Sequence, residues 1–209
     1  MARGRFVTLE GLEGSGKSTQ IALLRERLAQ RGIHAVVTRE PGGTPLAERL
    51  RDIVLHAGEE SLSPVSELLV LFAARSVHLD TLVRPALARG EWVLCDRFTD
   101  ATYAYQGAGR GIADEAIRGL EKAVQRGLHP DLTLLLDLPV EVGLQRAGAR
   151  RGAAAADRFE REGTAFFERV RARFLEIARA EPQRVRVIDA AQSVQDVAAA
   201  IAAEVERLQ

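Results

Sequence analysis

Apolar runs of strand length alternate along the chain with longer segments in which apolar positions recur at helical spacing. Continuous apolar runs are typical of buried parallel strands, so the alternation predicts an α/β fold with helices around a parallel sheet. Strands are predicted at Phe6–Glu10, Ala35–Arg39, Trp92–Asp96, Leu132–Asp137 and Val185–Asp189. Helices are predicted at 18–31, 45–56, 64–89, 114–126, 140–150, 161–180 and 193–208.

Length and composition indicate one domain over residues 1–209, since a chain of this size that is 46% hydrophobic can build one sizeable core. The formal net charge of +0 argues against nucleic acid or a membrane surface as partner. The single cysteine, Cys95, lies in an apolar run and indicates a buried side chain in a reducing compartment. The first strand begins close to the N-terminus and no apolar stretch would span a bilayer, so we expect a cytoplasmic protein.

A glycine-rich segment between the first strand and the first helix has the GxxxxGK[ST] pattern of a phosphate-binding loop. Its backbone N–H groups would surround a phosphate, Lys17 would reach the β- and γ-phosphates of a nucleotide, and Ser18 would bind Mg²⁺. A chance match is disfavoured because the required strand and helix flank the segment. The predicted nucleotide-binding residues are Gly11, Leu12, Glu13, Gly14, Ser15, Gly16, Lys17, Ser18 and Thr19.

Residues after the other strands are the next candidates, because ligands of such sheets bind at the carboxyl ends of the strands. Asp96 ends the third strand, where it could orient the Mg²⁺ shell, and Arg97 could hold a second anion through two-pronged hydrogen bonding. The alternative is a simple salt bridge at the strand end. After the second strand, the turn 39–44 contains a proline and two glycines, and taken alone it fits an ordinary turn with a solvated ion pair.

Polar and aromatic residues follow Arg97, among them Thr102, Tyr105 and Gln106, before a glycine-rich stretch at 107–111. Hydroxyl, aromatic and amide groups together suit a heterocyclic base better than a core.

Read together, these segments resemble the thymidylate kinase family over essentially the full chain. The resemblance is carried by the phosphate loop with Glu13 and by segments 39–44, 96–97, 104–107 and 157–160. It implies a P-loop NTPase fold, with a five-stranded parallel sheet flanked by helices on both faces and a short lid at about 146–160. It also implies transfer of the ATP γ-phosphoryl group to dTMP, with Mg²⁺ as cofactor, in a homodimer.

The same resemblance assigns roles to individual residues. Arg97, Arg51 and Arg75 would hold the acceptor phosphate, since cations are needed where two polyanions meet. Thr102 and Gln106 would meet the thymine edge, Tyr105 would lie against the deoxyribose, and Glu40 would shape the pocket. The implied dTMP-binding residues are Glu40, Arg51, Phe72, Arg75, Arg97, Thr102, Tyr105 and Gln106.

Members of the family that the chain resembles carry the transition-state arginine either in the phosphate loop or in the lid. Here the loop reads Glu13-Gly14-Ser15 without an arginine, so the resemblance implies that the lid supplies it. We expect Arg151, and then Arg150, to contact the transferred phosphoryl group, and in this respect the sequence resembles the bacterial lid-arginine form of the family. The alternative is that these arginines solvate a helix end. The implied catalytic residues are Glu13, Lys17, Asp96, Arg97, Arg150 and Arg151, with Ser18 and Asp96 at the metal.

Leu71 occupies the position where the family usually has a phenylalanine that stacks on thymine, and Phe72 follows it. Phe72 is therefore expected either to present its ring to the base or to belong to the core. Two other functions stay open, namely another nucleoside or nucleotide kinase of the P-loop class and a nucleotide-binding switch without catalysis.

Overall fold

A computed structural model describes residues 4–56, 62–151, 158–159 and 162–208, with the side chains of Arg150 and Arg151 outside this description. The predicted strands are confirmed with the predicted bounds, as β1 (Phe6–Glu10), β2 (Ala35–Arg39), β3 (Trp92–Asp96), β4 (Leu132–Asp137) and β5 (Val185–Asp189). They form one parallel sheet in the order β2-β3-β1-β4-β5. The predicted α/β fold class is therefore confirmed.

The described part of the chain contains helices on both faces of this sheet. They are α1 (Lys17–Gln30), α2 (Pro45–Leu55), α3 (Pro64–His78), α4 (Arg84–Ala88), α5 (Thr99–Thr102), α6 (Asp114–Gln125), α7 (Val140–Arg151), α8 (Thr164–Ala180) and α9 (Val194–Glu206).

Side chains alternate across the sheet and so build a core on each face. Leu9 and Leu134 pack with α1 and α9 on one face. On the other face Leu135 packs with α8, while Phe6 packs with α4 and the turn before it. Cys95 belongs to this second core and is 0% exposed, as the sequence predicts.

The observed helices differ from the predicted ones in two places. The helix predicted at 64–89 is divided by a π-helical turn at Leu79–Val83, between α3 and α4. Residues 99–109 also form a helix, α5 followed by a π-helical segment at Tyr103–Gly109, which the glycine-rich sequence did not predict. This segment packs against α8, so tertiary contacts compensate for its weak intrinsic helix propensity.

The predicted functional segments meet at the carboxyl ends of β1, β2 and β3. Register pairs Leu9 with Asp96, and Arg39 with Asp96, so the three strands end side by side. Among residues 4–56, 62–151, 158–159 and 162–208, no helix has the length and apolar character needed to cross a bilayer.

Candidate active site

The phosphate loop connects β1 to α1 in a conformation that its glycines permit. Gly14 and Gly16 have φ values of 74° and 91°, in the left-handed region that other residues rarely adopt. A Cβ on Gly14 would also collide with the carbonyl oxygen of Gly143 in α7. The loop is therefore held closely between β1 and α7, at the N-terminus of α1, where helix N–H groups favour a bound anion.

The side chain of Lys17 is buried and only 8% exposed. Its Nζ donates hydrogen bonds to the carbonyl oxygens of Gly11 and Leu12, at 3.0 and 2.9 Å. Burial, together with the nearby Arg97 guanidinium, lowers the pKa of Lys17 to about 8. Ser18 and Thr19 are exposed on the first turn of α1.

Glu13 of the phosphate loop reaches the segment that follows β3. Its Oε1 accepts a hydrogen bond from Arg97 Nη2 at 2.7 Å, and its Oε2 accepts one from the Tyr105 hydroxyl at 2.8 Å. Burial opposes ionisation, but Arg97 and Lys17 outweigh it and hold the pKa of Glu13 below its usual value. The Arg97 guanidinium also lies 4.8 Å from the centre of the Tyr105 ring. The nucleotide loop and the predicted second anion site are thus in direct contact.

A second cluster forms around Glu40, which is 4% exposed. Its Oε2 accepts from Arg75 Nε at 2.6 Å and its Oε1 lies 2.9 Å from His78 Nδ1. Burial opposes ionisation, yet Arg75 and His78 hold the pKa of Glu40 below its usual value. Arg75 Nη2 donates to Thr102 Oγ1 at 2.9 Å, so this cluster is joined to the predicted base-reading segment.

The two charged residues at the turn after β2, Arg39 and Glu40, lie in different environments. Arg39 is largely exposed and pairs with Glu48 at 2.8 Å, which fits the solvated ion pair considered above. Glu40 is buried and belongs to the site. Arg51 donates from Nη1 to the carbonyl oxygen of Pro41 at 3.0 Å, which places α2 against the same turn.

One cavity collects nearly all predicted acceptor residues. Its walls contain Glu13 and, of the predicted dTMP-binding residues, Glu40, Arg51, Arg75, Arg97, Thr102, Tyr105 and Gln106.

Phe72 is the exception among the predicted acceptor residues. It packs in a core cluster with Leu68 and Ile117 and is 2% exposed, whereas Leu71 lines the cavity. Arg75 covers the Phe72 ring, with the guanidinium carbon 4.8 Å from the ring centre. The core interpretation of Phe72 is therefore correct, and the stacking interpretation is wrong for this arrangement.

Asp96 ends β3 beside the phosphate loop, and its buried Oδ1 has no hydrogen-bond partner among the described residues. An orphaned buried carboxylate oxygen is costly unless it meets a cation or a donor, so this position fits a metal-bound water or ion. The described residues contain no cluster of three or more His, Cys, Asp or Glu side chains able to hold a metal. Mg²⁺ does not require one, because it commonly uses one or two protein ligands with phosphates and waters.

The predicted lid is described in part. Arg150 and Arg151 lie at the end of α7, but their side chains are outside the described residues, as are positions 152–157 and 160–161. Arg146 donates to the carbonyl oxygen of Ala190 at 3.0 Å and so fixes α7. Phe159 lines the acceptor cavity and meets the Tyr105 ring edge-on at 5.7 Å between centres.

Sequence reasoning missed Glu10, the last residue of β1, which is 0% exposed. Its Oε1 accepts from the backbone N–H groups of Phe98 and Ala101, at 2.7 and 3.3 Å, and so caps α5. Burial raises the pKa of Glu10 to about 8, and the nearby Asp100 carboxylate adds to the rise. The sequence does show an acidic residue at the end of an apolar strand, which could have marked Glu10 as a candidate. Its hydrogen-bond partners lie 88 and 91 residues further along the chain, so the sequence did not indicate what it contacts.

Comparison with known proteins agrees with this geometry. A family model described as Thymidylate kinase matches residues 9–201. A protein named "Thymidylate kinase" from Pseudomonas syringae is 58% identical over 198 residues, which cover 95% of this chain and 93% of that protein. One of the same name from Alkalilimnicola ehrlichii is 55% identical over 201 residues, covering 96% and 92%. The crystal structure of thymidylate kinase from Ehrlichia chaffeensis matches with a TM-score of 0.78 at 34% identity, covering 98% of this chain and 99% of that chain.

Proposed function

The chain belongs to the thymidylate kinase family, and from this premise we propose that it transfers the γ-phosphoryl group of ATP to dTMP in dTTP biosynthesis. A phosphate oxygen of dTMP would attack the γ-phosphorus while the bond to the bridging oxygen breaks, giving dTDP and ADP. The observation that carries the proposal is the cavity lined by the predicted acceptor residues, which adjoins the phosphate loop through the contact between Arg97 and Glu13.

The donor nucleotide would bind at the N-terminus of α1. The loop amides and Lys17 would hold the ATP phosphates, and the present hydrogen bonds of Lys17 to Gly11 and Leu12 would be exchanged for bonds to phosphate oxygens. Ser18 and Asp96 would hold Mg²⁺ or its waters. When bound, the ion would neutralise the charge that develops on the β- and γ-phosphates.

The acceptor would lie in the cavity with its phosphate toward the loop and its base toward α3. Arg97 would hold the acceptor phosphate, because it lines the cavity and its contact with Glu13 places it beside the phosphate loop. Arg51 would assist from α2. The family resemblance implied that Arg75 holds the acceptor phosphate, but Arg75 is bonded to Thr102, so we assign it instead to the base end of the cavity. Its buried Nη1 has no hydrogen-bond partner in the part of the chain that the structure describes, so it could donate to a carbonyl oxygen of thymine.

Arg151, with Arg150 as the second candidate, would stabilise the migrating phosphoryl group from the lid. The support is the absence of an arginine from the loop at Glu13-Gly14-Ser15 and the position of both residues at the end of α7, whose residue Gly143 approaches Gly14. An arginine in this role can contribute about three to five powers of ten in rate.

A cytoplasmic homodimer is part of the proposal. Leu69 and Val65 on α3 are 52% and 58% exposed, and Leu46 and Ile53 on α2 are each 48% exposed. Large apolar side chains that cluster on two adjacent helices favour an interface between copies. Light scattering on the purified protein, with Leu69→Glu as the disrupting variant, tests it.

The reaction is tested by following ADP release with ATP and Mg²⁺ while the acceptor is varied among dTMP, dUMP, dCMP and dAMP. We expect the highest kcat/KM with dTMP. A higher value for another nucleotide would support the alternative of a different nucleotide kinase. Nucleotide binding without ADP release for any acceptor would support the switch.

A further inference from the structure

A buried carboxylate lies directly behind the acceptor cavity and has no role in the reaction described so far. Glu67 is in the first turn of α3, is 0% exposed, and does not line the cavity itself. Its Oε1 accepts a hydrogen bond from Gln106 Nε2 at 2.8 Å. Gln106 does line the cavity, so Glu67 touches the back of a residue that faces the acceptor.

This contact determines which way round the Gln106 amide lies. A carboxylate only accepts hydrogen bonds, so the amide must turn its NH₂ group toward Glu67. The carbonyl oxygen of Gln106 is then left to accept a hydrogen bond from a ligand in the cavity. Thymine and uracil present an N–H donor at N3, whereas cytosine presents an unprotonated nitrogen there, which cannot donate.

Two guanidinium groups also contact the Glu67 carboxylate. Arg110 Nε lies 3.4 Å from Oε1, and Arg158 Nε lies 3.1 Å from Oε2. Arg158 also donates to the carbonyl oxygen of Leu62 at 2.7 Å, just before α3 begins. The carboxylate is therefore fixed by charged partners, and rotating it away from Gln106 would break these contacts inside the protein.

We infer that Glu67 is a positioning residue that fixes the amide of Gln106 and thereby makes the acceptor site select pyrimidines with an N–H at N3. The inference rests on the proposed function, since it concerns the acceptor pocket of that reaction. It adds a cause for base selectivity that lies outside the pocket. The competing explanation is that Glu67 only balances the charges of Arg110 and Arg158.

The Glu67→Gln variant separates these explanations. Its side chain has the same shape but can either donate to or accept from Gln106, so the Gln106 amide is free to turn over. We expect the ratio of kcat/KM for dTMP to that for dCMP to fall by at least about tenfold, because a site built around one hydrogen bond discriminates strongly. The ratio for dTMP to dUMP should stay the same, because both bases carry the N–H at N3.

Glu162→Gln is the matched control, because Glu162 also pairs with Arg110 but is not bonded to Gln106. Both selectivity ratios should stay at wild-type values in this variant. A selectivity ratio does not depend on the fraction of folded enzyme, so a merely structural role for Glu67 would leave it unchanged. If Glu67→Gln does not fold, as judged by circular dichroism, Glu67→Asp keeps the charge but withdraws the oxygen from Gln106 and should lower the same ratio.

An unchanged ratio of dTMP to dCMP in a folded Glu67 variant would overturn the inference, and so would an equal change in Glu162→Gln. The proposed function would survive either result, provided that the wild-type enzyme phosphorylates dTMP. Failure of the wild-type enzyme to use dTMP would instead refute the proposed function.

Discussion

The ion pair between Arg75 and Glu40 is the contact whose removal has the most predictable energetic consequence. Both side chains are 4% exposed and their charged atoms are 2.6 Å apart. In Arg75→Met the guanidinium is lost while a flexible apolar chain fills part of its volume, and Glu40 keeps its contact with His78 Nδ1 at 2.9 Å. Breaking a buried pair in this way costs about 3–5 kcal/mol, because one charge remains buried without compensation.

The loss should depend on pH with a definite sign. Arg75 holds the pKa of Glu40 below its usual value, even though burial opposes this. A carboxyl group of this kind adds stability above its unfolded pKa, and this stability is lost as the pH falls through the lower folded pKa. Without Arg75 the pKa of Glu40 should rise, so the stability deficit of the variant is largest at neutral pH and shrinks in acid.

Urea unfolding followed by circular dichroism at pH 7 and pH 5 measures both effects. With a slope of about 2–3 kcal/mol per molar urea, the midpoint at pH 7 should fall by roughly 1–2.5 M. Arg39→Met is the matched control, because Arg39 pairs with Glu48 at 2.8 Å but the two side chains are 54% and 35% exposed. Its cost should stay below about 1 kcal/mol.

The double variant Arg75→Met, Glu40→Gln completes the test, since it removes the orphaned charge as well. It should be more stable than Arg75→Met alone at pH 7. A loss below about 1 kcal/mol in the single variant, or a double variant less stable than the single one, would refute the assignment of the pair as a buried, mutually dependent contact.

Three further predictions concern ATP binding, catalysis and stability. ATP affinity, measured by calorimetry, should weaken by about tenfold between pH 7 and pH 9, because neutral Lys17 cannot pair with phosphate and its pKa is about 8. The Lys17→Met variant should bind ATP weakly and with the same affinity at both pH values. A wild-type affinity that does not change with pH would contradict the role of Lys17 in binding the phosphates. Arg151→Ala should lower kcat by about a thousandfold or more with little change in the KM for dTMP, and a larger loss in Arg150→Ala would transfer the role to Arg150. Tyr105→Phe leaves one oxygen of Glu13 without its donor and should lower the free energy of unfolding by about 1–3 kcal/mol; unchanged stability would show that this hydrogen bond does not contribute.

The sheet and the phosphate loop could be predicted from the sequence because their signals are local. Each strand is a short apolar run bounded by turn residues, and the loop is one continuous segment between a strand and a helix. The helix of residues 99–109 could not be predicted in this way. It contains Gly107 and Gly109, and it is capped by Glu10, which is 88 residues from Phe98 in sequence.

The cavity proposed as the acceptor site was predictable only through the family resemblance, because its residues come from the turns after β2 and β3, from α2 and α3, and from α5 with the π-helical segment that follows it. The resemblance supplied the residues that face the cavity but not those that hold them. His78 contacts Glu40 across 38 residues, and Glu67 contacts Gln106 across 39 residues. Neither pairing has a local sequence pattern. The sequence also does not tell which of Leu71 and Phe72 faces the cavity, because only the packing of the folded chain places Phe72 in the core cluster and Leu71 in the cavity wall.

The position of Arg97 shows how these supporting residues serve the chemistry. Arg97 has a φ of 70°, a left-handed conformation that costs roughly 1–2 kcal/mol for a residue with a side chain. Hydrogen bonds on both sides compensate, since Arg97 N donates to the Leu9 carbonyl oxygen at 2.9 Å and Phe98 N donates to Glu10 at 2.7 Å. Both acceptors belong to the end of β1, which also begins the phosphate loop. The Arg97 guanidinium, proposed to hold the acceptor phosphate, and the loop proposed to hold the donor phosphates are therefore fixed to the same strand, so their relative position is a property of the fold.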